Sequence, residues 1–320
     1  MKNEGGKMKA LVLSGGGSKG AFEVGVLRYL HENENVEYDI IAGVSVGALN
    51  AGMLATGSMA ETLPILEDVW FKGVKSNASI WKHYLLWYMV GCVIGTSILS
   101  LGTLISAILS APLAFTIILA MITLASLYLP YHFINTIRSV YRTDPLRRIV
   151  KKYLDLDKLK TSGKKLLVGA VAHETGEYRY VDETNLDIVK WIMASSAFPV
   201  FFPLEKIEGL NWTDGGVINV VPLYDALENG ATEIDVIITR PRGETTDFKF
   251  GILSQLERAL DLMTKEIVRN DIMLMDNKIK VRIFEPDQQF KYSSLEFDPR
   301  HIRDTYDAGM KVAESVTRKK

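Results

Sequence analysis

A serine with glycine two residues before it and two after it is the segment of this 320-residue chain best suited to chemistry. Gly43-Val44-Ser45-Val46-Gly47 follows the apolar run Tyr38 to Ala42 and leads into the helix-compatible stretch Ala48 to Leu54. So tight a turn from strand into helix crowds the backbone, which is why glycine is needed on either side while the hydroxyl projects outward. Ser45 fits a nucleophile elbow, and the positive end of the following helix faces any negative charge that develops there. A second segment, Ser14-Gly15-Gly16-Gly17-Ser18-Lys19-Gly20, also lies between a strand and a helix. Consecutive glycines leave backbone NH groups uncovered, which suits an anion hole for a tetrahedral intermediate. Gly16 and Gly17 are the favoured donors, with Gly15 beside them. A third segment, Trp212-Thr213-Asp214-Gly215-Gly216, followed by Asn219 and Pro222, reads in isolation as a turn. Beside the other two it supplies a base for Ser45.

Other chemistries are disfavoured by the same residues. Gly15, Gly17 and Gly20 match the dinucleotide fingerprint G-x-G-x-x-G, which expects an acidic residue about 20 positions on at the end of the second strand. Asp39 has that spacing but precedes its strand, where it cannot reach a ribose. Lys19 lies outside any G-x-x-x-x-G-K-[ST] phosphate loop. His31, His83, His132 and His301 form no metal spacing, so neither metal nor cofactor is expected. His173 follows the apolar run Leu166 to Ala172 as a minor candidate base. Ser195 and Ser196 lack flanking glycines and are expected to pack a helix end against the site.

In this order, the three segments resemble the patatin-like phospholipase family, and Ala194 to Pro203 (ASSAFPVFFP) is similar to that family's segment upstream of its aspartate. The resemblance covers roughly residues 8 to 75 and 140 to 280. It implies Ser45 as nucleophile, Asp214 as base, and Gly15, Gly16 and Gly17 as the oxyanion hole. Lys19, Gly20, Gly43, Gly47, Gly215 and Gly216 complete the motifs. It also implies a lipid acyl hydrolase of the phospholipase A or lysophospholipase type, acting on membrane phospholipid or another acyl lipid through an acyl-enzyme intermediate. Two departures stand out. Lys19 replaces the family's usual arginine, and a hydrophobic insertion interrupts the common core.

That insertion is the largest shift in composition. Between Lys82 and Arg138 there is no Asp, Glu, Lys or Arg. Tyr84 to Ser110 and Leu113 to Phe133, 27 and 21 residues long, could each cross a hydrocarbon core about 30 Å thick at about 1.5 Å per residue. Pro112 marks their junction, and Gly91 and Gly95 make a small-xxx-small pair expected to bring the two helices together. Aromatic residues open and close the run, and basic residues from Lys72 to Lys82 and from Arg138 to Lys152 flank it. The positive-inside rule then places both flanks in the cytoplasm, with residues 84–133 as a membrane-embedded hairpin.

Outside the insertion, β-rich runs alternate with helical stretches. Ala10 to Leu13, Ile40 to Ala42, Lys165 to Ala172 and Ile234 to Thr239 read as strands, with Tyr178 to Val181 as an antiparallel addition. Helices are expected over Gly20 to Glu32, Val46 to Thr56, Asp187 to Ser195, Pro222 to Glu228 and Leu253 to Met275. The expected fold is α/β, a patatin-like three-layer arrangement with a mostly parallel sheet and helices on both faces, its core spanning about 8–80 and 138–320. The 37 basic and 38 acidic residues nearly cancel, giving no reason to expect nucleic acid as a partner. Cys92 is the lone cysteine, so no intrachain disulfide forms. Oligomeric state is not legible. The rival readings are a soluble esterase or thioesterase with a helical lid, and a catalytically inactive membrane scaffold.

Overall fold

The computed structural model describes residues 8–74, 82–241, 279–288 and 290–318, with residue 251 and isolated residues between 255 and 270. The expected helix over Leu253 to Met275 lies largely outside the described residues. Eight strands form one mixed sheet: β1 (Met8–Leu13), β2 (Ile40–Gly43), β3 (Lys165–Ala172), β4 (Tyr178–Asp182), β5 (Glu205–Ile207), β6 (Leu210–Asp214), β7 (Ala231–Ile237) and β8 (Lys280–Phe284). Hydrogen-bonded neighbours run β5-β6-β3-β2-β1-β7-β8, with β4 also paired to β3. The run from β3 to β8 is parallel, whereas β4, β5 and β6 pair antiparallel.

Parallel strands covered on both faces need apolar residues at every position. Leu11, Leu13 and Ile41 point into one core, while Ala10, Val12, Ile40 and Ala42 point into the other. The first core is closed by α1 (Gly20–Glu34), α2 (Val46–Leu54), α3 (Met59–Asp68), α9 (Ile188–Ser195) and α11 (Pro299–Arg318). The second is covered by α10 (Leu223–Glu228), through Leu223 and Ala226. The mostly parallel sheet with helices on both faces is the expected one.

The insertion forms α4 (His83–Ile108), α5 (Leu113–Ser126) and α6 (Tyr128–Thr136); α7 (Asp144–Tyr153) and α8 (Leu156–Thr161) return the chain to the sheet. The second apolar run is divided at Leu127 because Pro130 has no NH to offer and its ring crowds the carbonyl four residues back. Between α4 and α5, hydroxyl pairs set the register: Thr96 with Ser126 at 3.1 Å, Thr103 with Thr123 at 3.1 Å, and Ser106 with Thr116 at 2.8 Å. The expected role of Gly91 and Gly95 is corrected here. Neither has a neighbour from elsewhere within 4 Å of where a Cβ would stand, and the close approach falls at Gly102, where a Cβ would stand 3.6 Å from the Leu119 side chain.

Candidate active site

Ser45 sits between β2 and α2 with φ 56° and ψ −129°, a left-handed backbone rare for a residue with a side chain. Such a conformation costs about 1–3 kcal/mol and persists only where its surroundings enforce it. Here α9 enforces it. The Ser195 hydroxyl accepts the Ser45 NH at 3.0 Å, and the Ser196 hydroxyl donates to the Ser45 carbonyl at 3.1 Å. Gly47 fits only because it lacks a Cβ, which would stand 2.5 Å from the Leu13 carbonyl oxygen. Gly43 is the last residue of β2, and its own missing Cβ leaves room for the Gly47 carbonyl.

Strand register delivers the aspartate to the same place. β4 overlaps both β2 and β6 along β3, so those two strands share its other edge. β2 ends with Gly43 opposite Val168, and β6, running the other way, ends with Asp214 opposite Ala170. The two strand ends therefore meet head-on across Gly169. Gly215 packs against the Gly169 carbonyl and the Val44 side chain at this junction. The Tyr178 hydroxyl, bonded to Asp225 at 2.5 Å, lies against Gly169 and backs the junction.

The Asp214 side chain is 1% exposed. Its Oδ1 accepts the Gly216 NH at 2.7 Å, while Oδ2 is buried with no partner in full hydrogen-bond geometry. Burial pushes its pKa up to about 7, against a smaller lowering by the neighbouring Ser45 hydroxyl, the Gly216 NH and Arg240. The Asp214 NH and the Thr213 hydroxyl both donate to the Ala197 carbonyl, at 3.1 and 2.7 Å. Ala197 directly follows the two serines that hold Ser45, so a single loop ties the serine and the aspartate together.

The glycine segment forms the opposite wall. Gly15 lies close enough that a Cβ would stand 3.1 Å from that of Ser45. Its NH donates to the Val220 carbonyl at 3.2 Å, so of the three expected donors Gly15 supplies clearance instead. The Gly16 and Gly17 NH groups enter no hydrogen bond among the described residues. Gly17 adopts φ +57°, and the Ser294 carbonyl occupies the space its Cβ would fill. That carbonyl accepts the Ser18 NH at 2.7 Å, and the Thr239 hydroxyl donates to the Gly15 carbonyl at 2.6 Å. Lys19 is buried with its amine 5.8 Å from the centre of the Phe290 ring, and Gly20 opens α1 against Val46 and Trp70.

His173 is exposed in the turn between β3 and β4. Asp39 accepts the Lys9 NH at 2.9 Å near the entry ends of β1 and β2, the opposite end of the strands from the glycine segment. Ser294, Thr239 and Val220, which shape the glycine wall, carry no motif by which a sequence reading could single them out. The serine pair at 195 and 196 was visible, but not its division of labour as acceptor and donor on the Ser45 backbone.

A serine on an enforced strand-to-helix elbow beside a buried carboxyl, at the carboxyl ends of parallel strands, marks the class of α/β proteins built around a nucleophile elbow. The Patatin-like phospholipase family matches residues 11–227, more than half the chain, and the protein belongs to that family of lipid hydrolases. Patatin-like phospholipase domain-containing protein ZK370.4 of Caenorhabditis elegans is 39% identical over 80 residues, which are 25% of this chain and 6% of the worm protein. Two solved structures are similar over 98% of the chain. VipD from Legionella pneumophila is 16% identical with a TM-score of 0.47 and 67% of its chain covered. The type III effector protein ExoU is 14% identical with a TM-score of 0.40 and 53% covered. The chain thus spans a small fraction of the worm protein and about half of ExoU.

Proposed function

We propose that the protein is a membrane-associated lipid acyl hydrolase that cleaves fatty acyl esters through Ser45 and Asp214. One observation carries the reading: the fully buried Asp214 carboxyl stands beside the Ser45 hydroxyl with its pKa pushed up to about 7 by burial. Ser45 Oγ attacks the ester carbonyl and passes its proton to Asp214. The Gly16 and Gly17 NH groups hold the oxyanion, helped by the N-terminus of α2. The alcohol leaves with the proton from Asp214. Water then attacks the acyl-enzyme, gives a proton to Asp214 and releases the fatty acid, and Asp214 returns that proton to Ser45.

The membrane part of the proposal rests on the hairpin. Trp87–Ile108 and Leu113–Phe133 are long and apolar enough to span, and almost none of either is buried. A lid on a soluble enzyme would bury one face of its helices. Here Leu109 and Leu113 are 74% and 75% exposed. The flanking basic residues favour a cytoplasmic catalytic part.

The test is hydrolysis of a fluorogenic short-chain ester by the full chain in phospholipid vesicles. Ser45→Ala and Asp214→Asn should each lower kcat by about 100-fold or more with the fold intact. Wild-type rates in both variants would overturn the hydrolase reading and leave an inactive membrane scaffold.

A further inference from the structure

We infer that Tyr141, at the exit of the membrane hairpin, is a positioning residue that locks the hairpin base to both walls of the Ser45 site. The inference rests on the proposal that Ser45 and Asp214 are the reacting pair.

The strap leaving the hairpin, residues 137–141, is sewn to the body on two sides. Across the hairpin mouth the Lys82 NH donates to the Val140 carbonyl at 3.2 Å, and the Lys82 amine donates to the Ser139 hydroxyl at 2.6 Å. Toward the site, the Val140 NH donates to the Val200 carbonyl at 3.0 Å and the Tyr141 NH to the Phe201 carbonyl at 2.7 Å. Val200 and Phe201 belong to the loop whose earlier residues, Ser195 to Ala197, grip Ser45 and Asp214. The Tyr141 ring continues the connection, with centroids 5.6 Å from Phe201 and 5.4 Å from Phe202.

The hydroxyl of the same side chain reaches the other wall. It donates to the Leu295 carbonyl at 3.5 Å, one residue beyond the Ser294 carbonyl that seats the glycine segment. Tyr141 is only 3% exposed although the chain enters an exposed apolar hairpin a few residues earlier. One buried side chain therefore spans from the loop that holds Ser45 and Asp214 to the turn at Ser294 and Leu295 that seats the glycine segment. Moving these walls apart separates base, nucleophile and oxyanion donors, and misplacement of about 1 Å can cost on the order of 100-fold in rate. It also admits water to Asp214, and since burial is what raises that carboxyl, its pKa falls.

The experiment uses the full chain in phosphatidylcholine vesicles and a soluble short-chain ester, so that substrate delivery by the membrane plays no part. Tyr141→Leu removes both ring and hydroxyl and should lower kcat about 30-fold. KM should stay within about twofold, and flotation with the vesicles should be unchanged. The acid limb of its pH profile should move below the wild-type midpoint, a change that destabilisation remote from Asp214 does not produce. Tyr141→Phe keeps the ring and loses one long hydrogen bond, so its kcat should fall only about threefold. Ser45→Ala is measured alongside. If Ser45→Ala keeps the wild-type rate, the reading of the active site fails. If Ser45→Ala is inactive while folded Tyr141→Leu retains wild-type kcat and pH midpoint, only the role of Tyr141 fails. Should Tyr141→Leu not fold, wild-type kcat in Tyr141→Phe overturns the inference.

Discussion

Burial raises the Asp214 carboxyl from an ordinary 3.8 to about 7, and two properties of the protein follow that pH in opposite directions. In the proposed role of general base the carboxyl must be ionised, so kcat/KM should rise through pH 7 and level off above it. A midpoint near 4 would contradict this. Stability runs the other way. The folded state holds a proton that the unfolded chain has released between about pH 4 and 7, so the group contributes stability below 4 that is lost as pH rises through 7. The loss amounts to at most about 4 kcal/mol. Asp214→Asn keeps an acceptor for the Gly216 NH and has no charge to bury. It should melt higher than wild type at pH 8, with the gap closing toward pH 4, while its kcat is lower by about 100-fold or more. That Ser45 and Asp214 belong together was legible because the proposed chemistry restricts such residues to few types at set spacings, and the fold brings the two to one junction. The partners of the motif residues were not: the carbonyl of Val220 that occupies the Gly15 NH belongs to a residue any sequence could carry there.

At the level of elements, legibility followed burial. β1, β2 and β3 read as strands because cover on both faces demands continuous apolar runs, whereas β6, with Leu210 half-buried and Asn211 exposed ahead of Trp212, carries no such run. β8 and α11 went unread, although α11 packs along α1 and β8 extends the sheet beside β7. The small-residue spacing of Gly91 and Gly95 showed that a close approach was possible but not which face took it. The loop after α9 adds a feature that no pattern announces. Val200 holds φ 71° and is 70% exposed, a conformation that β-branched residues avoid. Its carbonyl is turned to accept the Val140 NH at the hairpin base. Glycine adopts that φ freely, and relief of the clash outweighs the greater entropy of an unfolded glycine. Val200→Gly should therefore stabilise the detergent-solubilised protein by about 1 kcal/mol, read as a raised thermal midpoint. A lowered midpoint would mean that the valine side chain, not the backbone turn, secures the loop.

For the whole molecule, the family match stops at residue 227, yet the chain beyond it supplies two strands of the sheet and the Ser294 carbonyl under the glycine segment. The hairpin is bracketed by the family core and reaches the site through its base. Whether that hairpin lies in a bilayer or folds over a soluble enzyme is decided at Cys92, the chain's sole cysteine. Cys92 follows the start of α4 by nine residues, a rise of about 14 Å, which puts its thiol near the middle of a hydrocarbon core about 30 Å thick. A membrane-impermeant maleimide reaches only thiols in contact with water. In the protein itself Cys92 is partly exposed, so a hairpin surrounded by water would be labelled readily. Labelling should instead be blocked in intact vesicles and appear once detergent and denaturant dissolve the bilayer and open the helices. The protein should also remain with the membrane through an alkaline carbonate wash, since apolar burial, unlike attachment by the flanking basic residues, does not depend on charge. Equal labelling with and without the bilayer, or release into the wash, would make the hairpin a lid.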